Sequence, residues 1–197
     1  MASADVTKAA QHGDDAPPTT WKHGGGTEVA GFAAGEGESF VGRAVTINRP
    51  VSDVFAYFRD FSNLPSFMEN VERVDLLDDK RSHWVVKAPA GKTVEWTSQI
   101  TDEAPDGFIA WRSEDGADVA NSGRVEFRDA GARGTVVTVS ILYDPPAGVV
   151  GKLIAKMFQR EPAIQARRDL RRFKQLMETG EIATAAMNRK QHEEETA

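Results

Sequence analysis

The chain has 197 residues, 40% hydrophobic and 27% charged, with a formal net charge of −6. This is ordinary composition for a globular domain whose core stands without disulfides or metal. The absence of cysteine removes disulfide scaffolds, thiolate metal sites and cysteine nucleophiles, and the acidic balance argues against a general nucleic-acid binder.

Residues 1–37 are rich in Gly, Ala, Pro and Thr and lack periodicity. Such a stretch buries too little surface to offset backbone entropy, so a disordered arm is expected there, with a second disordered tail over 181–197. The N-terminus has no apolar h-region of a secretory signal, and no run reaches the ~20 apolar residues of a membrane span. A cytoplasmic protein is therefore expected, with one folded domain over residues 38–180.

Within that domain, FVGRAVTI reads as a strand. Pro50 then sets an extended entry at Arg49, and Ser52 is the expected N-cap of a short helix with Val51, Val54, Phe55 and Phe58 at helical spacing. A second short helix is expected in SNLPSFM, capped by Ser62 or Asn63. Six strand-like runs follow, separated by hairpin chemistry at Asp78-Asp79-Lys80, Ala90-Gly91, Pro105-Asp106-Gly107, Asp115-Gly116 and Ala130-Gly131. Connections this short force antiparallel pairing.

Alternation gives the sheet two unlike faces. Val94, Trp96, Ser98 and Ile100 fall on one side with Ile109, Trp111, Ser113, Asn121, Val125, Phe127, Val139 and Tyr143. The other side carries Glu95, Arg112, Glu114, Arg124, Glu126 and Arg128, which are expected to form cross-strand pairs in solvent. Gly123 within a strand suggests a bulge or room for a close neighbour. The apolar face needs a cover. A long helix is expected from near Ala147, interrupted at Pro162 and ending at Gly180. Its apolar stripes contain Met157 and, further on, Ala166, Leu170, Phe173 and Met177. Residues 146–180 carry 8 basic and 3 acidic groups, the only basic stretch of the chain. Arg167, Arg168, Arg171, Arg172 and Lys174 are expected around its outer surface, where a weak acidic partner would find them.

The phrases RPVSDVFAYFRDFSNLPSFM, VEWTSQITDEAPDGFIAWRSEDGADVANSGRVEF and DLRRFKQLMETGEI, and the order strand, two short helices, six strands, long helix, resemble the SRPBCC superfamily in its polyketide cyclase/dehydrase branch. The resemblance covers about residues 40–182. It implies a helix-grip α+β fold, START-like, with a curved antiparallel sheet of about seven strands closing on the C-terminal helix. It further implies a cavity for a lipid- or polyketide-like molecule. The superfamily has no common catalytic motif to carry over, so no catalytic residue, metal or cofactor is expected.

The residues expected to line a binding cavity are Trp84, Trp96, Ser98, Trp111, Ser113, Asn121, Phe127 and Tyr143 of the sheet, Phe67 of the second short helix and Met157 of the long one. The same aromatics would also serve as plain packing against the helix. His83 is the lone histidine of the folded region, out of phase with Trp84 and so expected in solvent, which leaves a Ser-His-Asp site without its base. Three functions stay open: a non-catalytic carrier or sensor, a cyclase or dehydratase with Tyr143 as its one cavity-facing reactive group, and a protein-interaction module.

Overall fold

The computed structural model describes residues 39–88, 91–144 and 162–183. The arms over 1–37 and 184–197, the first part of the expected long helix and Met157 lie outside the described residues.

Seven strands form a single antiparallel sheet in the order β1-β7-β6-β5-β4-β3-β2. They are β1 (Ser39–Ile47), β2 (Val71–Leu76), β3 (Arg81–Ala88), β4 (Lys92–Ala104), β5 (Phe108–Ser113), β6 (Ala120–Asp129) and β7 (Thr135–Asp144). The first strand lies at one edge and the second at the other. The chain between them, α1 (Val51–Arg59) and a 3-10 helix (Phe61–Ser66), crosses the open face of the sheet to link the two edges. From β2 onward the chain meanders back, strand by strand, until β7 pairs with β1. Bulges after Val71 in β2 and after Ile100 in β4 add local twist and bend the sheet.

The described part of the cover is α2 (Pro162–Thr179). Pro162 stands at its start, where a missing N–H is harmless. Gly180 ends it at φ +78° and donates its N–H to the Leu176 carbonyl at 2.8 Å. Leu170 and Phe173 are buried from the expected stripe, with Ala166 and Met177 half-buried. The helix is pinned to the β1–α1 junction by polar contacts: Asn48 N donates to Glu178 Oε1 at 2.6 Å, and Arg49 Nε to the Met177 carbonyl at 2.7 Å. Lys174 was expected on the outer surface. It turns inward instead, its Nζ donating to the Thr46 carbonyl, because its position on the helix faces the carbonyls of edge strand β1.

Several local expectations need correction. Helix α1 is capped by Pro50, not Ser52, and the Pro50 carbonyl accepts from Asp53 and Val54 at 3.2 Å each. Proline already holds the φ a helix entry needs, so the helix begins one residue before the serine. The 3-10 helix is capped by Asp60 rather than Ser62 or Asn63, since the Asp60 carboxylate accepts from the Ser62 N–H at 3.1 Å. The β6–β7 hairpin forms at Ala130-Gly131 as expected, and its link is a 3-10 turn over Gly131–Arg133. It closes on Gly134, where a Cβ would stand 2.1 Å from the Ile47 carbonyl oxygen. On the polar face Glu114 pairs with Arg81 at 2.7 Å, not with Arg112, because it lies diagonally across β4 from β3. Arg124 pairs with Glu126 along its own strand at 3.0 Å. Glu95 stands 3.4 Å from His83, which is on the face away from Trp84. Among the described residues Arg112 and Arg128 make no ion pair.

The core between sheet and cover is aromatic. Phe67 stacks on Phe173 at 4.6 Å, Phe58 meets Phe173 edge-on at 5.6 Å, and Phe127 meets both Phe55 and Phe58 edge-on at 5.4 and 5.8 Å.

Candidate functional site

The aromatic core fills one end of the space between sheet and helix, and a cavity of about 210 Å³ occupies the other. A single water needs roughly 15 Å³ by a comparable measure, so this is far more than a packing defect. Its walls come from three places. The sheet supplies Trp84, Val86, Trp96, Trp111, Asn121, Val139, Ile141 and Tyr143; the elbow and the start of β2 supply Phe67, Met68, Asn70 and Val71; α2 supplies Gln165, Ala166, Asp169 and Leu170.

The sheet register explains the tryptophans. Trp84 and Trp96 are direct partners across β3 and β4 and project to the same side. Their rings lie nearly parallel at 9°, with centroids 6.1 Å apart. The Trp84 indole N–H donates to Ser82 Oγ at 2.9 Å, and Phe61 meets its ring edge-on, so its orientation is held from two sides. Trp111 pairs with Gly123 across β5 and β6. A Cβ at residue 123 would lie 2.2 Å from Trp111 Cζ2. The missing side chain therefore lets the indole lie down on the neighbouring strand, as the strand glycine suggested.

Six of the ten residues singled out in the sequence come together at the cavity: Trp84, Trp96, Trp111, Asn121, Tyr143 and Phe67. Three others do not line it. Phe127 is buried in the aromatic core against Phe55 and Phe58. Ser98 donates its hydroxyl to the Arg112 carbonyl at 3.3 Å, and Ser113 Oγ accepts the Asn121 N–H at 3.0 Å. Their polar groups are satisfied within the sheet and need neither ligand nor water. Met157 lies outside the described residues.

The residue that pattern reading missed is Asp169. It lines the cavity from α2, beside Leu170 and Ala166. Its Oδ1 accepts from the Glu69 N–H at 3.3 Å and from Gln165 Nε2 at 2.9 Å, the second one turn earlier on the same helix. Burial away from water pushes its carboxyl up to about 6, against the opposing pull of those two hydrogen bonds and the charge of Arg172. A signal was present: Asp169 is the one acid in the run RRDLRRFK and sits on the shoulder of the apolar stripe, three residues past Ala166. Among the described lining residues Tyr143 is the other ionisable group, and no lysine, arginine or histidine is present. Among the described residues no three His, Asp or Glu side chains gather as they would around a metal ion. No described helix is long and apolar enough to cross a membrane.

A curled antiparallel sheet gripping a C-terminal helix, with a largely apolar cavity between them, is the helix-grip α+β architecture. Residues 47–171 match the family described as polyketide cyclase/dehydrase and lipid transport, and the chain belongs to it. A crystal structure of DR_A0006 from Deinococcus radiodurans is 44% identical, covering 73% of this chain and 100% of that one with a TM-score of 0.59. An uncharacterised 17.2 kDa protein of Streptomyces lincolnensis, from the melC2–rnhH intergenic region, is 29% identical over 71% of this chain and 90% of its own length. The ZhuI aromatase/cyclase of Streptomyces sp. R1128 shares the fold at a TM-score of 0.58, with 17% identity over 74% of this chain and 99% of that one. Family and fold support a ligand-binding or cyclase role.

Proposed function

We propose that the protein is a non-catalytic carrier or sensor that holds one apolar, ring-bearing small molecule in the cavity between sheet and helix. The observation that supports this is an open space of about 210 Å³ walled by three tryptophans. Apolar walls with a few polar groups are what small-molecule sites are made of. A dry cavity of ~150 Å³ in another protein takes up benzene, so this one has room for one or two fused rings. Tryptophan and valine walls offer no directional contact for most of the surface, which suits recognition by shape and apolar area.

Native mass spectrometry of the purified chain, with titration by an environment-sensitive apolar dye, tests the reading. The expected result is a co-purified small mass or saturable dye uptake, lost in Ala166→Phe, which would fill the cavity from the helix side. No co-purified mass, together with no dye uptake, removes it.

A second reading is a cyclase acting on a polyketide-like substrate, and the single observation that favours it is Asp169. A cavity-lining carboxylate whose titration is displaced towards neutrality suits general acid–base work. Folding of a flexible substrate by cavity shape would supply most of the remaining rate. A linear poly-β-ketone thioester incubated with the chain would be converted to a ring, and Asp169→Asn would stop that conversion while dye uptake persisted. Absence of turnover by the unaltered chain counts against this reading and leaves the carrier role intact.

A further inference from the structure

The charge of the lining narrows the ligand further. Asp169 has two carboxylate oxygens, and both of its hydrogen bonds end on Oδ1. Oδ2 has no partner among the described residues, and no ion pair is made to the carboxylate. A carboxylate accepts and cannot donate when ionised. It therefore leaves one strong acceptor at a largely apolar cavity, with no lysine, arginine or histidine among the described lining residues; Arg172, three residues on along the helix and outside that lining, opposes the effect of burial without outweighing it. The other polar groups of the described lining carry no cation: the amides of Asn70, Asn121 and Gln165, the Tyr143 hydroxyl and the indole N–H groups.

We propose that Asp169 is the specificity-determining residue of the cavity, anchoring a ring-bearing ligand through a hydrogen-bond donor such as a phenolic hydroxyl and excluding ligands that carry a carboxylate. This rests on the carrier reading above. A donor on the ligand would complete the carboxylate at Oδ2 with a charge-assisted bond, the stronger kind. An acidic ligand would bring a second negative charge beside Asp169 in a poorly solvated space, where like charges repel strongly. Fatty acids and other carboxylates are thus disfavoured, although their apolar bodies would suit the walls.

Equilibrium dialysis of the full chain at about pH 7.5, above the titration of Asp169, tests this with three probes of one shape: naphthalene, 2-naphthol and 2-naphthoic acid. The expected order is naphthol first, with the acid weaker by roughly tenfold or more. In Asp169→Asn, which keeps an acceptor for Glu69 N–H and Gln165 while removing the charge, the gap between naphthol and acid should close to within about threefold. The proposal is overturned if the acid binds the unaltered chain as tightly as the naphthol, or if the variant keeps the original gap. In both of those cases retention of all three probes leaves the carrier reading standing. Retention of none overturns anchor and carrier together. The probe order in the unaltered chain decides the matter even where the variant does not fold.

Discussion

Asp169 carries a stability cost along with its chemistry. Its carboxyl titrates at about 6 in the fold against 3.8 when exposed. The folded state therefore holds this proton more tightly than the unfolded chain does, and the contribution of the group to stability falls as pH rises from about 4 to about 6. Above that window the full penalty is present. Asp169→Asn is expected to stabilise the protein by about 1–2 kcal/mol near neutral pH, discounting for the water that still reaches the group, with the gain shrinking towards zero near pH 4. Urea unfolding of both proteins at the two pH values checks the sign, and an equal difference at each would refute it. Gly123 is the other single position on which the site depends. A Cβ there meets the Trp111 ring at 2.2 Å, so Gly123→Ala forces the indole off the strand and into the cavity. Such overpacking costs about 2–3 kcal/mol. It would also change the near-ultraviolet circular dichroism and reduce dye uptake; unchanged spectra would show that the ring has another place to go.

Helix α2 serves the core with one part and the cavity with another. Phe173 is fully buried and holds Phe58 and Phe67 in contact with the sheet. Phe173→Ala is expected to cost about 3–5 kcal/mol, seen as a lower urea midpoint. Two turns earlier, Ala166 and Gln165 face the cavity, where a small side chain leaves the space open. Arg167, Arg168 and Arg171 are exposed on the outside of the same helix. They are the residues an acidic partner would meet, and a solvated helix face is the plainer account of them. The elbow is fastened separately: Arg59 of α1 pairs with Glu103 of β4 and donates to the Asp79 carbonyl at 2.7 Å. Elbow and helix meet through the Glu69 N–H on Asp169.

For the molecule as a whole, the sheet order places β5, β6 and β7 inside and leaves β2 at an edge. Edge β1 is covered by α2 through Lys174, Asn48 and Arg49, whereas the end of β2 presents Leu76 at 53% exposure and Leu77 just beyond it at 51%. Amide hydrogen exchange should therefore be slowest in β6 and β7 and fastest, among the strands, in β2. Protection of β2 equal to that of β6 would mean that something covers that edge.

Much of this architecture was legible in the residues. Period-two alternation in Val94, Trp96, Ser98 and Ile100 put the right side chains on the buried face, because every second residue of a strand points the same way. Short turn-rich links required antiparallel neighbours, and the 3.6-residue spacing of Ala166, Leu170 and Phe173 marked the covering face of the helix. Periodicity, however, reports only which side of an element faces inward. It carries no information on how far the cover stands from the sheet at each point. Phe127 and Trp111 share a face and differ in fate: α1 comes close enough to seal the first into solid core, and the space beside Ala166 leaves the second at an open cavity. Asp169 was hidden for the same reason. A lone acid in a basic run reads as solvent-facing until residue 69, a hundred positions away, brings its N–H to the carboxylate and the packing of helix on sheet leaves Asp169 half-buried.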